Sequence, residues 1–213
     1  MLLFKGPRDQ ILAPLQSVCG IVEKRHTLPI LSNVLMEKEG ERLTLLATDI
    51  EIQIRTGTTI PAEAGGEKTA LTVAARKLQD ILRSLPETAE VSLTLEDRRL
   101  QLKAGRSRFN LQTIPAEDFP RMAAVDGQAT RLTLTQKQFK RLLALVQYSM
   151  AQQDIRYYLN GLLLVVNGAE MRLVATDGHR LAYVSEALPE TLPRNANGKI
   201  MKKDLKPLFA SER

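Results

Sequence analysis

LSNVLMEKEGERLTLLATD (residues 31–49) and LNGLLLVVNGAEMRLVATD (residues 159–177) align without a gap. The offset is 128 residues, from 176 − 48 for the two threonines. Seven positions are identical: Leu31/Leu159, Leu35/Leu163, Gly40/Gly168, Leu45/Leu173, Ala47/Ala175, Thr48/Thr176 and Asp49/Asp177. Self-similarity at a fixed offset marks a duplicated supersecondary unit, so the fold is read outward from this pair. Each copy predicts a strand (31–37 or 159–166), a turn at Gly40 or Asn167-Gly168, and a second strand (42–48 or 170–176). Asn-Gly between apolar runs is a hairpin signal. A third strand is expected at 50–55 and at 180–185; IEIQI alternates apolar and polar residues, as a half-buried antiparallel strand does.

A helix is expected before each hairpin. Ile11, Leu15, Val18, Cys19 and Val22 fall on one helical face, as do Phe139, Leu142, Leu143, Val146 and Met150. Thr135 and Gln138 have the spacing of a capping box. Pro14 is read as lying near the first turn of its helix, where a missing N–H does least harm. Short strands, 2–4 and 131–135, precede the two helices. Each unit therefore reads βαβββ. A divergent unit lies between the copies: a strand at 69–73, a helix marked by Leu78, Ile81, Leu82 and Leu85, then strands at 90–96, 99–104 and 108–114. Asp97-Arg98 and Gly105-Arg106 form its turns. Residues 115–130 read as a linker. GKIM (198–201) echoes the LTVA of the middle unit, and Leu205, Leu208 and Phe209 echo its helix.

Composition bounds the function. Among 213 residues, 44% are apolar and 25% charged, as in ordinary globular chains. MLLFKGPRDQ does not read as a signal peptide, and no apolar run reaches the roughly 18–20 residues of a membrane span. One cysteine, Cys19, permits no internal disulfide, which fits a reducing cytosol, and it is expected in the core. Two histidines and one cysteine are too few for a His/Cys zinc site, and no metal or cofactor is expected. A net charge of +6 favours polyanionic partners or serves solubility. Aromatic content of 4% without tryptophan argues against a base-stacking single-strand binder. GGEKT (65–69) lacks the spacing of a nucleotide-binding phosphate loop.

RHTLPILSN (25–33), ATDIE (47–51), AGRSRFNL (104–111), DFP (118–120), SMAQQDIRYYLNG (149–161) and VATDGHRLA (174–182) resemble the bacterial DNA sliding clamp family, the beta subunits of the DNA polymerase III holoenzyme. The resemblance runs from about residue 1 to about residue 209. It implies an α+β clamp fold of tandem βαβββ units, with helices on the DNA-facing side and antiparallel sheets outside. It also implies an N-terminal domain over 1–120 and a central domain over 130–213 that stops inside its second unit. The family has three domains, so the chain is expected to be a truncated clamp, an interrupted gene or a gene fragment.

The implied partners are duplex DNA, the polymerase III alpha subunit and other clamp-binding proteins, and the ATP-driven clamp loader. Full-length members form a head-to-tail homodimeric ring; this chain is expected to be a monomer. A clamp holds DNA through its phosphates without reading bases. Arg76, Lys77 and Arg83 lie off the apolar stripe of the second helix, Lys137, Lys140 and Arg141 off that of the third, and Lys202, Lys203 and Lys206 on the fourth. The alternative for each is a solvated surface face. By resemblance, Arg25, Arg76, Lys137, Lys140, Gln153, Tyr157 and Tyr158 are the DNA contacts, unless one of the tyrosines is a strand-entry core residue. Arg106, Arg108 and Lys77 belong to the subunit interface. Leu159, Thr176, Gly178, His179, Arg180 and Leu181 belong to a pocket for a partner's short peptide. The rest of that pocket comes from later residues in the family, so weak or no peptide binding is expected here. His26 is expected on the surface.

A second reading is a hydrolase using Asp177 and His179, although no nucleophile or metal cluster accompanies them. A third is a regulatory or non-functional remnant that holds DNA loosely. The repeat bears on the second. Ala-Thr-Asp recurs at 47–49, where no histidine follows, so Thr176 and Asp177 read as turn chemistry at a strand end. Gly178-His179-Arg180-Leu181 is special to the second copy.

Overall fold

The computed structural model describes residues 1–22, 28–60, 68–122, 132–188 and the strand 196–201. They divide between two compact bodies, Met1–Ala123 and Ala124–Leu208. The expectations for Arg25, His26, residues 61–67, most of the linker, and Lys202, Lys203 and Lys206 with their helix lie outside the described residues.

In the first body the chain runs β1 (Leu2–Pro7), α1 (Arg8–Cys19), β2 (Asn33–Glu39), β3 (Arg42–Thr48), β4 (Gln53–Thr59), β5 (Thr69–Ala74), α2 (Ala75–Ser84), β6 (Glu90–Glu96), β7 (Arg99–Ala104) and β8 (Ser107–Ile114). These are the two βαβββ units that the repeat predicts. Their pairing is exchanged. The first strand of each unit joins the other unit's hairpins: β1 pairs antiparallel with β6, and β5 with β2. The strand order is β1-β6-β7-β8-β5-β2-β3-β4.

The two halves meet at a narrow seam, where β8 pairs with β5 only through Thr72↔Ile114 and Val73↔Thr113. The buried Thr72 hydroxyl reinforces it, accepting from Asn33 Nδ2 at 3.0 Å and donating to the Ile114 carbonyl at 3.0 Å. Lys38, 2% exposed, donates its Nζ to the Leu2 carbonyl at 3.0 Å, so its buried ammonium is hydrogen-bonded. One face of the sheet packs on both helices through Phe4, Ile11, Leu15, Val18, Met36, Leu45, Leu78, Leu82, Leu93 and Leu102. Cys19 belongs to this core, and burial pushes its thiol up to about 11.

The opposite face of β2 and β3 has its own small cluster. Leu35 and Leu46 are covered by Phe119, which is 3% exposed, with Ile30 and Ala116 beside it. Arg121 pins the same stretch by a 2.8 Å ion pair to Glu37, and the Met122 N–H donates to Gln53 Oε1. Burying a phenylalanine this way contributes roughly 2–3 kcal/mol. The segment after β8 is thus a strap across the sheet.

In the second body, α3 (Gln136–Val146) opens with the expected capping box: the Gln138 N–H donates to Thr135 Oγ1 and the Thr135 N–H to Gln138 Oε1. It buries Leu142, Leu143 and Val146 against β10 and β11. β9 (Gly161–Asn167), β10 (Glu170–Thr176), β11 (Leu181–Ala187) and β12 (Ala196–Met201) lie in the order β11-β10-β9-β12. β12 pairs with β9 as β5 pairs with β2, so the echo of LTVA in GKIM is structural.

Four expectations are corrected. Residues 132–135 are not a strand: β1 is a strand because β6 pairs with it, and no described residue of the second body supplies that ladder. Strands β2 and β9 begin two residues late, because Pro29–Ser32 and Tyr157–Leu159 form 3-10 turns. Pro14 is inside α1 rather than at its start, because the helix begins at Arg8 directly after β1; the missing N–H therefore falls in mid-helix. The third strand of the first copy begins at Gln53 rather than Ile50, because Asp49 gathers the intervening backbone into a turn.

That turn is the same in both copies. Thr48 Oγ1 donates to the Ile52 carbonyl and Thr176 Oγ1 to the Arg180 carbonyl, both at 2.7 Å. The N–H groups of Glu51 and Ile52 donate to Asp49 Oδ1, and those of His179 and Arg180 to Asp177 Oδ1. The residue between has positive φ in each: Ile50 at 81° and Gly178 at 91°. Glycine takes that conformation freely, whereas a β-branched side chain is strained there. Ile50 is also 51% exposed, so its side chain recovers little burial. Ile50→Gly is expected to stabilise the chain by about 1 kcal/mol, read as a raised urea midpoint with unchanged slope.

Candidate functional site

Apart from the basic residues of α3, the residues singled out in the second body come from two stretches that meet where Arg156 lies beside Gly178. The first is the loop Met150–Asn160 between α3 and β9. Asn160 staples it twice: its Oδ1 accepts from the Asp154 N–H and its Nδ2 donates to the Asp154 carbonyl, both at 2.9 Å. The Ala151 N–H donates to the Leu159 carbonyl at 2.9 Å and closes its base. Asp154 accepts from the Arg156 N–H, Nε and Nη2 at 2.8–3.1 Å. These charge-assisted bonds fix a loop that carries little core of its own. Gln153 takes a φ of 56°. Tyr157 and Tyr158 are 73% and 56% exposed, with rings in a T-shaped pair at 6.1 Å, so neither is a core residue.

The second stretch is the Thr176–Leu181 turn. Gly178 faces the Arg156 guanidinium: a Cβ there would lie 3.4 Å from both Nη atoms. Glycine is therefore favoured here by its φ, while a Cβ would meet the guanidinium only at ordinary van der Waals distance. His179, Arg180 and Leu181 are exposed, while Leu159 is 8% exposed beneath the loop. Arg180 is held on two sides: Nε donates to Asp177 Oδ2 at 2.9 Å, and the guanidinium stands 5.9 Å from the Tyr148 ring centroid. The Asp177 carboxyl is held below its ordinary range first by the His179 and then by the Arg180 backbone N–H groups. Its contacts go to backbone and to Arg180, which is turn chemistry and not a carboxylate orienting an imidazole. Among the described residues no cluster of three or more His, Cys, Asp and Glu is placed to hold a metal ion.

The basic side chains differ in their engagement. Lys137 is exposed and Lys140 half-buried on α3; Arg141 is ion-paired to Glu186 at 2.6 Å. On α2, Lys77 and Arg83 are exposed. Arg76 is half-buried and donates Nη2 to the Val22 carbonyl just past α1, so part of its charge is spent inside the body. Arg106 and Arg108 are exposed at the turn and start of β8. β8 pairs along Ser107–Gln112 with β7 but meets β5 only at its far end. Ser107–Leu111 therefore present an open strand edge among the described residues. The sequence reading missed Arg156 and Tyr148. Arg156 stands inside the quoted QQDIRYY run, but nothing in the spacing says that its guanidinium crosses to Gly178.

Arg156 holds the Asp154 carboxyl down to about 2, first through its side-chain hydrogen bonds and then through its backbone N–H. A depressed carboxyl contributes to folding fully above its ordinary value near 4, and that contribution fades as pH falls through about 2. A carboxyl NMR titration is expected to show a midpoint near 2 for Asp154. The Tyr157 and Tyr158 ring signals should move with it, and Asp154→Asn should leave those rings displaced already at neutral pH.

Residues 2–123 match the DNA polymerase III beta subunit N-terminal domain, and residues 133–208 match its central domain. The beta sliding clamp of Pseudomonas aeruginosa is 48% identical over 182 residues, covering 85% of this chain and 49% of that protein. That of Escherichia coli K12 is 45% identical, covering 91% and 52%. A crystal structure of the Pseudomonas aeruginosa beta subunit superimposes with a TM-score of 0.90 at 41% identity, over 100% of this chain and 57% of that one. A Caulobacter crescentus clamp gives 0.87 at 36%, over 97% and 55%. The chain spans about half the length of the relatives it matches.

Proposed function

The chain belongs to the DNA polymerase III beta-subunit family, and from that premise we propose that it serves DNA replication as a clamp segment, without catalysis, in the bacterial cytoplasm. It holds duplex DNA by its phosphates and offers a turn to the peptide of a polymerase or other clamp-binding protein. The observation that carries this is the contact of Arg156 with Gly178, which sets the tyrosine-bearing loop and the Gly178–Leu181 turn on one scaffold. A domain boundary in the stretch after Phe119 fits this reading.

DNA contact falls to Lys137 and Lys140 on α3, to Gln153, Tyr157 and Tyr158 on the loop, and to Arg25. Arg76 contributes less, since it already serves the Val22 carbonyl. Peptide contact falls to Leu159, Thr176, Gly178, His179, Arg180 and Leu181. The open edge of β8, flanked by Arg106 and Arg108 and with Lys77 exposed on α2, is suited to pair with a strand of another subunit, in keeping with a head-to-tail ring of longer chains. The clamp loader acts on such rings.

Two measurements test the reading. Binding to a fluorescent duplex, followed against salt, should lose affinity log-linearly; substituting Lys137 and Lys140 together by alanine should reduce that slope by about 2 if each meets one phosphate. Tyr157→Ala should weaken binding with the slope unchanged, since the ring is neutral. An unaltered slope in the double variant removes α3 from the DNA surface. In calorimetry a polymerase clamp-binding peptide should bind residues 1–213 weakly or not at all, and submicromolar affinity contradicts that expectation.

A further inference from the structure

Asn-Gly occurs three times in the chain, at 160–161, 167–168 and 197–198. Among the described residues Asp177-Gly178 is the related Asp-Gly pair. All of them share one chemistry. Glycine has no side chain to shield its backbone nitrogen, so that nitrogen can attack the side-chain carbonyl carbon of the residue before it and close a five-membered imide. The sequence does not distinguish the pairs; the fold does.

Asn160 is locked. Its Oδ1 accepts from the Asp154 N–H and its Nδ2 donates to the Asp154 carbonyl, both at 2.9 Å. The carbon between those two atoms cannot turn towards Gly161 without breaking both bonds. Asp177 is engaged as well: Oδ1 accepts from the His179 and Arg180 N–H groups and Oδ2 from Arg180 Nε. Asn197 and Gly198 lie within β12, opposite Val165 and Leu164. Asn167 differs. It is exposed at the end of β9, and its side-chain amide has no hydrogen-bond partner among the described residues. Gly168 opens the turn into β10 with a φ of 59°, and nothing lies within 4 Å of where a Cβ would stand.

We infer that Asn167 is a site of spontaneous modification, deamidating through Gly168 to aspartate and isoaspartate while Asn160 is preserved. Water is the one co-reactant. The Gly168 nitrogen gives its proton to base and bonds to Asn167 Cγ; the Cγ–Nδ2 bond breaks, and the nitrogen leaves as ammonia after taking up a proton. Water then opens the imide. Attack at Cγ restores the main chain and leaves an aspartate. Attack at the Asn167 main-chain carbonyl carbon leaves isoaspartate, with the chain running through Cβ and Cγ. Nothing is oxidised or reduced. Either product sets a carboxylate opposite Glu170, which Asn167 faces across the ladder and which is already paired with Arg172. Like charges directly opposed destabilise a ladder. Isoaspartate also lengthens the main chain where β9 turns into β10. The modification falls at the end of β10 away from the Thr176–Leu181 turn, and the staple that Asn160 gives the tyrosine-bearing loop is spared. Neither DNA nor a partner enters this chemistry.

The test incubates the whole chain in mildly alkaline buffer, once folded and once in concentrated urea. Trypsin cleavage after Arg156 and Arg172 releases residues 157–172, which carry both Asn160 and Asn167. Fragmentation in a mass spectrometer then locates each conversion. In the folded chain Asn167 should convert at least roughly tenfold faster than Asn160, because two hydrogen bonds must open before Asn160 can react. In urea the two rates should converge. An isoaspartate-specific methyltransferase should label this peptide from the aged folded chain. Asn167→Gln should abolish that label, since glutamine would have to close a six-membered ring. No conversion of Asn167 in the folded chain, or equal rates at the two asparagines, overturns the proposal. A tenfold difference that persists in urea assigns the preference to the flanking sequence and also overturns it, as does a label that survives in Asn167→Gln.

Discussion

The exchange of first strands between neighbouring βαβββ units is the constraint on which the first body rests. A strand is stable only when its N–H and C=O groups are paired, and β1 and β5 find their partners in the other unit. Neither unit can complete its sheet alone. The exchange brings α1 and α2 against one common core and leaves a seam only two residue pairs wide, which the Thr72 hydroxyl bridges. It also explains why residues 132–135 carry a strand-like pattern without a strand among the described residues: alternation supplies the side-chain pattern, and only a partner supplies the ladder.

The Thr-Asp turn solves a second problem, reversing the chain between adjacent antiparallel strands. Threonine and aspartate satisfy the freed backbone groups, and they do so identically in both copies. The residue after the aspartate must accept positive φ. Isoleucine tolerates the position in the first copy under strain; glycine fits it in the second, where the Arg156 guanidinium lies beside it. The same scaffold is thus a plain turn at 48–52 and a surface feature at 176–180. Asp177 is fully engaged in holding that feature together.

Much of this was legible in the sequence. The offset of 128 residues, the strands 42–48, 90–96, 99–104 and 170–176, the capping box at Thr135 and the turn role of Asp177 all follow from local pattern, because short-range geometry fixes them. So do the family motifs around Gly178 and Tyr157. Which strand pairs with which, the burial of Phe119, the crossing of Arg156 to Gly178 and the spending of Arg76 on Val22 were decided by the tertiary structure. Each joins residues far apart in the chain or depends on the direction of a side chain, and neither property leaves a period or a spacing to read.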